Sequence, residues 1–198
     1  MWNDRYNTPA YVFGTEPADF LVTHADRLRP GMNGLAVADG EGRNSVFMAQ
    51  RGVETLAMDM SANALAKAKA LAEARGVDVT HVEASITDWD WAPAAFDLVV
   101  AVFIQFLSPP ARDAVFAGMV KTLKPGGVLM LHGYRPEQLK LGTGGPRVVE
   151  NLYTEALLRE SFRGVEILAL ESYDREIDEG AGHSGMSALI DLVARKPG

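Results

Sequence analysis

The sequence predicts an α/β protein: a mostly parallel sheet of seven strands with helices on both faces, closed by a C-terminal antiparallel hairpin. Three observations carry that expectation. Short apolar runs alternate with helical stretches from Leu35 to His132, the order that builds a parallel sheet. Residues 35–44 (LAVADGEGRN) pass from an apolar strand through glycines into a helix, and a second strand ends on Asp59, about 20 residues beyond the glycines. Residues 165–177 and 186–194 are both strand-like, and the short glycine-containing stretch between them leaves no room for a helix, so they pair as a hairpin.

Length and composition bound the answer. A chain of 198 residues makes one domain, residues 1–198, with a sizeable core. A net charge of -7 and a pI near 5.1 speak against a nucleic-acid surface, which needs a basic stripe. No apolar run reaches the roughly 18 residues that a membrane helix requires. The absence of cysteine excludes disulfides, thiolate metal sites and a cysteine nucleophile. The four histidines have no metal-ligand spacing, so no metal is expected. The N-terminus lacks the basic-then-apolar order of a signal peptide. The expectation is a cytoplasmic protein, monomer or homodimer, with a small-molecule partner and neither nucleic acid nor membrane.

The elements follow in order. Residues 1–14 hold Trp2, Tyr6, Tyr11 and Phe13 among polar residues. Rings this dense in an aperiodic arm pack onto something: either they cover the edge of the core, or residues 1–30 act as a lid over a ligand pocket. Residues 17–28 read as a helix, with Pro17 in its first turn and Leu21, Ala25 and Leu28 on one face. Leu35, Val37 and Ala38 suit a buried strand. Gly40 and Gly42 permit a sharp turn and a close backbone approach, and residues 44–49 begin a helix. After the strand 55–58, Ser61 caps an alanine-rich helix over 62–75 that Gly76 ends. Residues 79–83 form a third strand, followed by Ser85, Ile86 and Thr87 at its C-terminal end, where open α/β sheets bind ligands. Residues 96–103 (FDLVVAVF) are apolar throughout, as in a central strand. Ser108-Pro109-Pro110 starts a helix through Leu123 with Val115, Phe116 and Met119 on its buried face, and residues 128–132 give the fifth strand. Residues 135–148 are loop-like, and 154–162 read as a helix.

A strand, a glycine turn, a helix and a second strand with a terminal acid make a nucleoside-binding half-site. Gly40, Gly42 and Ser45 also have the spacing of a dinucleotide fingerprint, so this half of the chain leaves NAD(P) and S-adenosylmethionine both open.

The closing hairpin leads further. Five parallel strands with helices, then an antiparallel pair, resemble the Rossmann-like fold of the class I S-adenosylmethionine-dependent methyltransferases. Residues 35–43 look like that family's first motif. Asp59 matches its ribose-binding acid, and Ser85-Ile86 matches the position flanking adenine. Phe96-Asp97-Leu98-Val99 resembles its fourth motif, and Leu123-Lys124-Pro125-Gly126-Gly127 resembles the turn before its fifth strand. Gly14-Thr15-Glu16-Pro17 and Gly40-Glu41-Gly42-Arg43-Asn44 are similar to the small bacterial tellurite-resistance and thiopurine methyltransferases. Two positions depart from the pattern: Ala38 stands where the first glycine is usual, and Ala36 where an acid is often found.

The resemblance implies roles. Ala38, Gly40 and Gly42 bring backbone against the methionine part of S-adenosylmethionine, and Arg43 reaches its carboxylate. Asp59 holds the ribose, Met60 lies on one adenine face, and Ser85 and Ile86 meet the adenine edge and face. Ala101 and Gln105 lead from the fourth strand past the cofactor towards the substrate. On the substrate side stand Tyr11, His132, Tyr134 and His183. His183 and Tyr134 are the catalytic candidates, with His183 a base if its pKa lies near working pH. His24 and His81 read as structural. The reaction implied is in-line methyl transfer to a small acceptor, leaving S-adenosylhomocysteine. Two other functions stand beside it: a protein that binds the cofactor without turnover, which Ala36 and Ala38 favour, and an NAD(P)-dependent oxidoreductase, which the hairpin and the lack of a Tyr-x-x-x-Lys pair disfavour.

Overall fold

The computed structural model describes residues 1–180 and 182–198. Seven strands form one sheet: β1 (Asn33–Val37), β2 (Glu54–Asp59), β3 (Val79–Glu83), β4 (Phe96–Val102), β5 (Leu123–Tyr134), β6 (Glu166–Asp178) and β7 (Ser184–Arg195). Their order across the sheet is β3-β2-β1-β4-β5-β7-β6. The first five run parallel, and β7 pairs antiparallel with both β5 and β6. The order reverses at β1, between β2 and β4, the switch point where such sheets open a crevice at their C-terminal edge.

Alternation along the strands sorts the core into two layers. Leu35, Val37, Val99, Ala101, Leu129 and Leu131 face one side, where helices α5 (Pro109–Thr122) and α6 (Glu155–Ser161) bring Phe116, Met119, Leu158 and Phe162. Ala36, Ala57, Leu98, Val100 and Met130 face the other, against Phe20 and Leu21 of helix α2 (Asp19–Thr23) and Met48 of α3 (Arg43–Gln50). Helix α4 (Ala62–Arg75) packs Leu71 and Ala72 on Val46 of α3. Its caps are those the sequence implies: Ser61 Oγ accepts from the Ala64 N–H, and Gly76 ends it at φ +66°. Helix α1 (Trp2–Arg5) is a single turn in the N-terminal arm.

The expected helix over 17–28 is shorter. It spans α2 and then tightens into a 3₁₀ turn, Ala25–Arg27, because the Ala18 N–H is drawn to Asn44 Oδ1 at 3.0 Å and the helix starts only after it. Strand β5 begins earlier than expected, at Leu123. The Lys124–Gly127 turn lies in its path, and the register against β4 shifts between Phe96 and Leu98. No helix among the described residues is long and apolar enough to cross a membrane, and no described group of acids and histidines has the geometry of a metal site.

Candidate functional site

The loop after β1 is built by three left-handed residues at alternate positions. Ala38 sits at φ +48°, Gly40 at +66° and Gly42 at +92°. Ala38 therefore carries a conformation that is strained for any residue with a Cβ. Asp39 staples the loop to α3, accepting from Ser45 Oγ at 2.5 Å and Ser45 N at 3.2 Å. Burial, together with the Asp59 charge, pushes the Asp39 pKa up to about 6. Asp59 anchors the other side. Its Oδ2 accepts from Gly40 N at 2.9 Å and its Oδ1 from Ser61 N at 2.8 Å. Burial raises its pKa, and these N–H bonds oppose the rise. A carboxylate offers about four acceptor sites, so Asp59 keeps capacity for a ligand.

Above this loop lies a cleft lined by Ala38, Gly40, Arg43, Asp59, Met60 and Ile86, with Asp39, Glu41, Phe103 and His183 completing its walls. Arg43 opens α3 and donates from Nη2 to Glu179 Oε2 at 2.7 Å, both side chains buried. Its Nη1 is buried without a protein partner. A guanidinium with one edge spent on the hairpin and the other free in the cleft suits a carboxylate ligand. Ile86 is buried and Met60 is about half exposed (54%) at the outer wall.

The N-terminal arm roofs the cleft with Trp2, Tyr6 and Phe13. Glu41, in the middle of the glycine loop, ties it down: Oε2 accepts from Val12 N (2.8 Å) and Phe13 N (3.2 Å), and Oε1 pairs with Lys67 Nζ (2.7 Å). Asn3 Oδ1 accepts from Ser61 Oγ and Asn63 N. The hairpin end meets the arm from the other side: Gly182 N donates to Val12 O, and a Cβ on Gly180 would stand 2.5 Å from Gly14 N.

A second cavity of about 280 Å³ adjoins the cleft and shares Trp2, Phe13, Phe103, Phe106 and His183 with it; Arg5, Gln105 and Tyr134 are among the residues it adds. Phe103 leaves β4 at φ +56° and packs its ring 4.2 Å from His183 and 4.5 Å from Tyr134, centroid to centroid. The Tyr134 hydroxyl and His183 Nδ1 are buried there without hydrogen-bond partners. Burial pushes the Tyr134 pKa up and the His183 pKa down to about 3; the charges of Arg43, His132 and Arg5 add to the latter. The expectation that His183 titrates near working pH is thus corrected. It is a neutral imidazole and a weak proton acceptor.

Several expected site residues lie elsewhere. Gly42 does not line the cleft; it lets α3 approach α4, since a Cβ there would stand 2.7 Å from Ala68. Ser85 turns away to Thr87 Oγ1 at 2.8 Å, leaving Ala84 and Ile86 on the wall. Ala101 is fully buried in the core. Gln105 is absent from the cleft but lines the second cavity, where it also serves as a brace, donating to Tyr134 O and Asn151 O and accepting from Tyr134 N. Tyr11 donates to Lys67 O and packs beside α4, outside both cavities. His132 is also outside them. Its Nδ1 meets Asp191 Oδ1 at 2.5 Å, and its ring stacks on Phe20 at 5.1 Å.

Sequence reasoning missed Asp39, Glu41 and Glu179 as the fasteners of the site, and Arg5 at its mouth. Acids inside a glycine turn, Asp39 and Glu41, were the available signal, because carboxylates there have loop and arm N–H groups within reach.

A seven-stranded sheet of this order, with a cleft at the C-terminal ends of β1, β2 and β4, is a Rossmann-like fold of the methyltransferase type. Residues 35–127 match the family model described as a methyltransferase domain. Over 105 residues, 52% of the chain and 48% of the relative, the sequence is 30% identical to an uncharacterized methyltransferase of Synechocystis sp.. The chain spans about half the length of the curated relatives it matches. The fold is similar to that of TehB from Haemophilus influenzae, with a TM-score of 0.72 at 18% identity over 98% of this chain and 65% of that one. It is similar too to magnesium protoporphyrin IX methyltransferase from Synechocystis, a structure with bound S-adenosylhomocysteine (TM-score 0.66, 17% identity, 90% and 78% covered). Residues 35–127 thus carry the sequence signature of a methyltransferase domain, and the fold is that of the methyltransferase structures it resembles.

Proposed function

We propose that the protein transfers a methyl group from S-adenosylmethionine to a small-molecule acceptor by in-line displacement. The observation that carries this reading is the pairing of two cavities across one ring of aromatic side chains. One cavity has the donors and acceptors a nucleoside amino acid needs; the other is large enough for a small acceptor. The residues fit the cofactor: Arg43 Nη1 lacks a partner, Asp59 has acceptor capacity left, and a Cβ on Gly40 would stand 2.9 Å from the Tyr6 hydroxyl, so nothing larger than glycine fits under the roof. Arg43 would hold the carboxylate, Asp59 the ribose hydroxyls, and Met60 and Ile86 the adenine faces. When bound, S-adenosylmethionine supplies a methyl carbon on a positively charged sulfur, open to displacement by an acceptor lone pair, with the sulfur leaving as a neutral thioether.

The chain's own residues then align and exclude water. Trp2, Phe13, Phe103 and Phe106 enclose the junction of the two cavities, and their faces favour a cation passing between them. Positioning of this kind supplies up to roughly 7–11 kcal/mol in intramolecular models. Tyr134 keeps its proton and acts as a donor, and His183 with its pKa near 3 positions rather than deprotonates. The arm serves as the lid that closes both cavities. Calorimetric titration with S-adenosylmethionine, S-adenosylhomocysteine, NAD and NADP tests the reading. Micromolar binding of the two sulfur compounds alone is expected; binding of a nicotinamide nucleotide, or of none, refutes it. Cofactor binding without methyl transfer to any small acceptor leaves the non-catalytic function instead.

A further inference from the structure

We propose that the second cavity takes a flat acceptor bearing a single negative charge, and that Arg5 anchors that charge at the cavity mouth. This rests on the methyl-transfer reading of the adjoining cleft. The observation is how Arg5 is held. Its guanidinium carbon lies 5.3 Å from the Trp2 ring centroid and 4.9 Å from that of Phe13, so two aromatic rings fix its place. No described residue accepts a hydrogen bond from it or forms an ion pair with it. The other arginine beside the site, Arg43, is neutralised by Glu179. Ring contacts hold a guanidinium by its faces and leave its N–H edges free, the edges that bind a carboxylate bidentately.

The rest of the cavity agrees in charge and shape. No described carboxylate lines it, so Arg5 is its one formal charge while His183 stays neutral. Its walls are the rings of Trp2, Phe13, Phe103, Phe106 and Tyr134, which take a planar molecule by stacking. Inside, His183 Nδ1 is a buried polar atom still lacking a partner. An acceptor with a planar body, a polar atom facing His183 and an anionic group at the mouth satisfies all three. A cationic acceptor would face Arg5 with no described carboxylate in the cavity to offset the repulsion. A dianion would bring twice the charge that one guanidinium balances.

Three probes of one shape and different charge test this: benzoate, benzamide and benzamidinium, titrated by ligand-observed NMR with and without saturating S-adenosylhomocysteine. Benzoate is expected to bind about tenfold more tightly than benzamide, the worth of one charge-assisted contact, with benzamidinium weakest. Arg5→Gln should bring benzoate to the affinity of benzamide, and Arg5 is exposed, so the melting temperature should hold. Equal binding of benzoate and benzamide by the unmodified protein, no benzoate binding, or a charge preference that survives Arg5→Gln overturns the proposal. If Arg5→Gln does not fold, the order of the three probes on the unmodified protein still decides. Failure of S-adenosylhomocysteine to bind refutes the cofactor reading separately, because the probe order is read in its absence as well.

Discussion

Replacing Glu41 by alanine should release the N-terminal arm while leaving the sheet intact. Glu41 is 3% exposed and its carboxylate accepts two arm N–H bonds, from Val12 at 2.8 Å and Phe13 at 3.2 Å, besides pairing with Lys67. A hydrogen bond to a charged group contributes about 1.5–3 kcal/mol, so the two together are worth roughly 3–6 kcal/mol before water re-solvates the freed groups. Allowing for that, the arm should lose about 3 kcal/mol of protection, close to a hundredfold faster opening at 1.4 kcal/mol per tenfold. Hydrogen exchange read on peptides from residues 2–14 measures it directly. Peptides from β4 and β5 should change far less, since Glu41 touches neither strand. A fall in arm protection of under tenfold would mean that the aromatic contacts, not the carboxylate, hold the arm. Equal loss in β4 and β5 would mean that the arm and sheet unfold together, and the lid reading would fall with it.

Two further substitutions read the other fasteners. Asp39 has a pKa of about 6 in the folded protein against 3.8 for the ordinary side chain, so its stability contribution is present below about pH 4 and lost as pH rises through 6. Asp39→Asn should therefore flatten the pH 4–6 portion of the urea stability curve and raise stability at pH 8 by up to about 2–3 kcal/mol; an unchanged slope would show that Asp39 ionises freely. Glu179→Ala leaves Arg43 buried without its partner and should cost about 3–5 kcal/mol in urea denaturation, with a loss below about 1 kcal/mol counting against the pair as a fastener.

Much of the sheet could be read from the chain because its strands are short, apolar and punctuated. The hairpin was legible for the same reason that it excludes a helix, the shortness of the stretch between residues 177 and 186. Around the cleft, Ala38, Gly40, Arg43, Asp59, Met60 and Ile86 come together as their order on the elements suggests. Ala101 and His132 do not, because their side chains take the faces of β4 and β5 that pack inside the protein, and Ser85 does not, because it lies beyond the end of β3 and bonds to Thr87. A step of one residue turns Ser85 out and Ile86 in. Tyr11 and Arg5 belong to an arm without periodicity, where the sequence marks stickiness but not direction. The long-range fasteners, Glu41 to the arm and Arg43 to Glu179, span 28 to 136 residues, and no local pattern announces them. The His183 pKa depends on burial that only the assembled hairpin, arm and β4 exit create.

Strand β7 is the late-made partner on which both β5 and β6 depend, since it lies between them in the sheet. On a ribosome, everything up to Asp178 can be outside the exit tunnel while the long edge of β5 still has nothing to pair with, and unpaired edges invite the wrong neighbour. Residues 179–195 complete the cavities as well as the sheet: His183 joins the wall that both cavities share and Glu179 holds Arg43, so neither cavity has its final wall until β7 is in place.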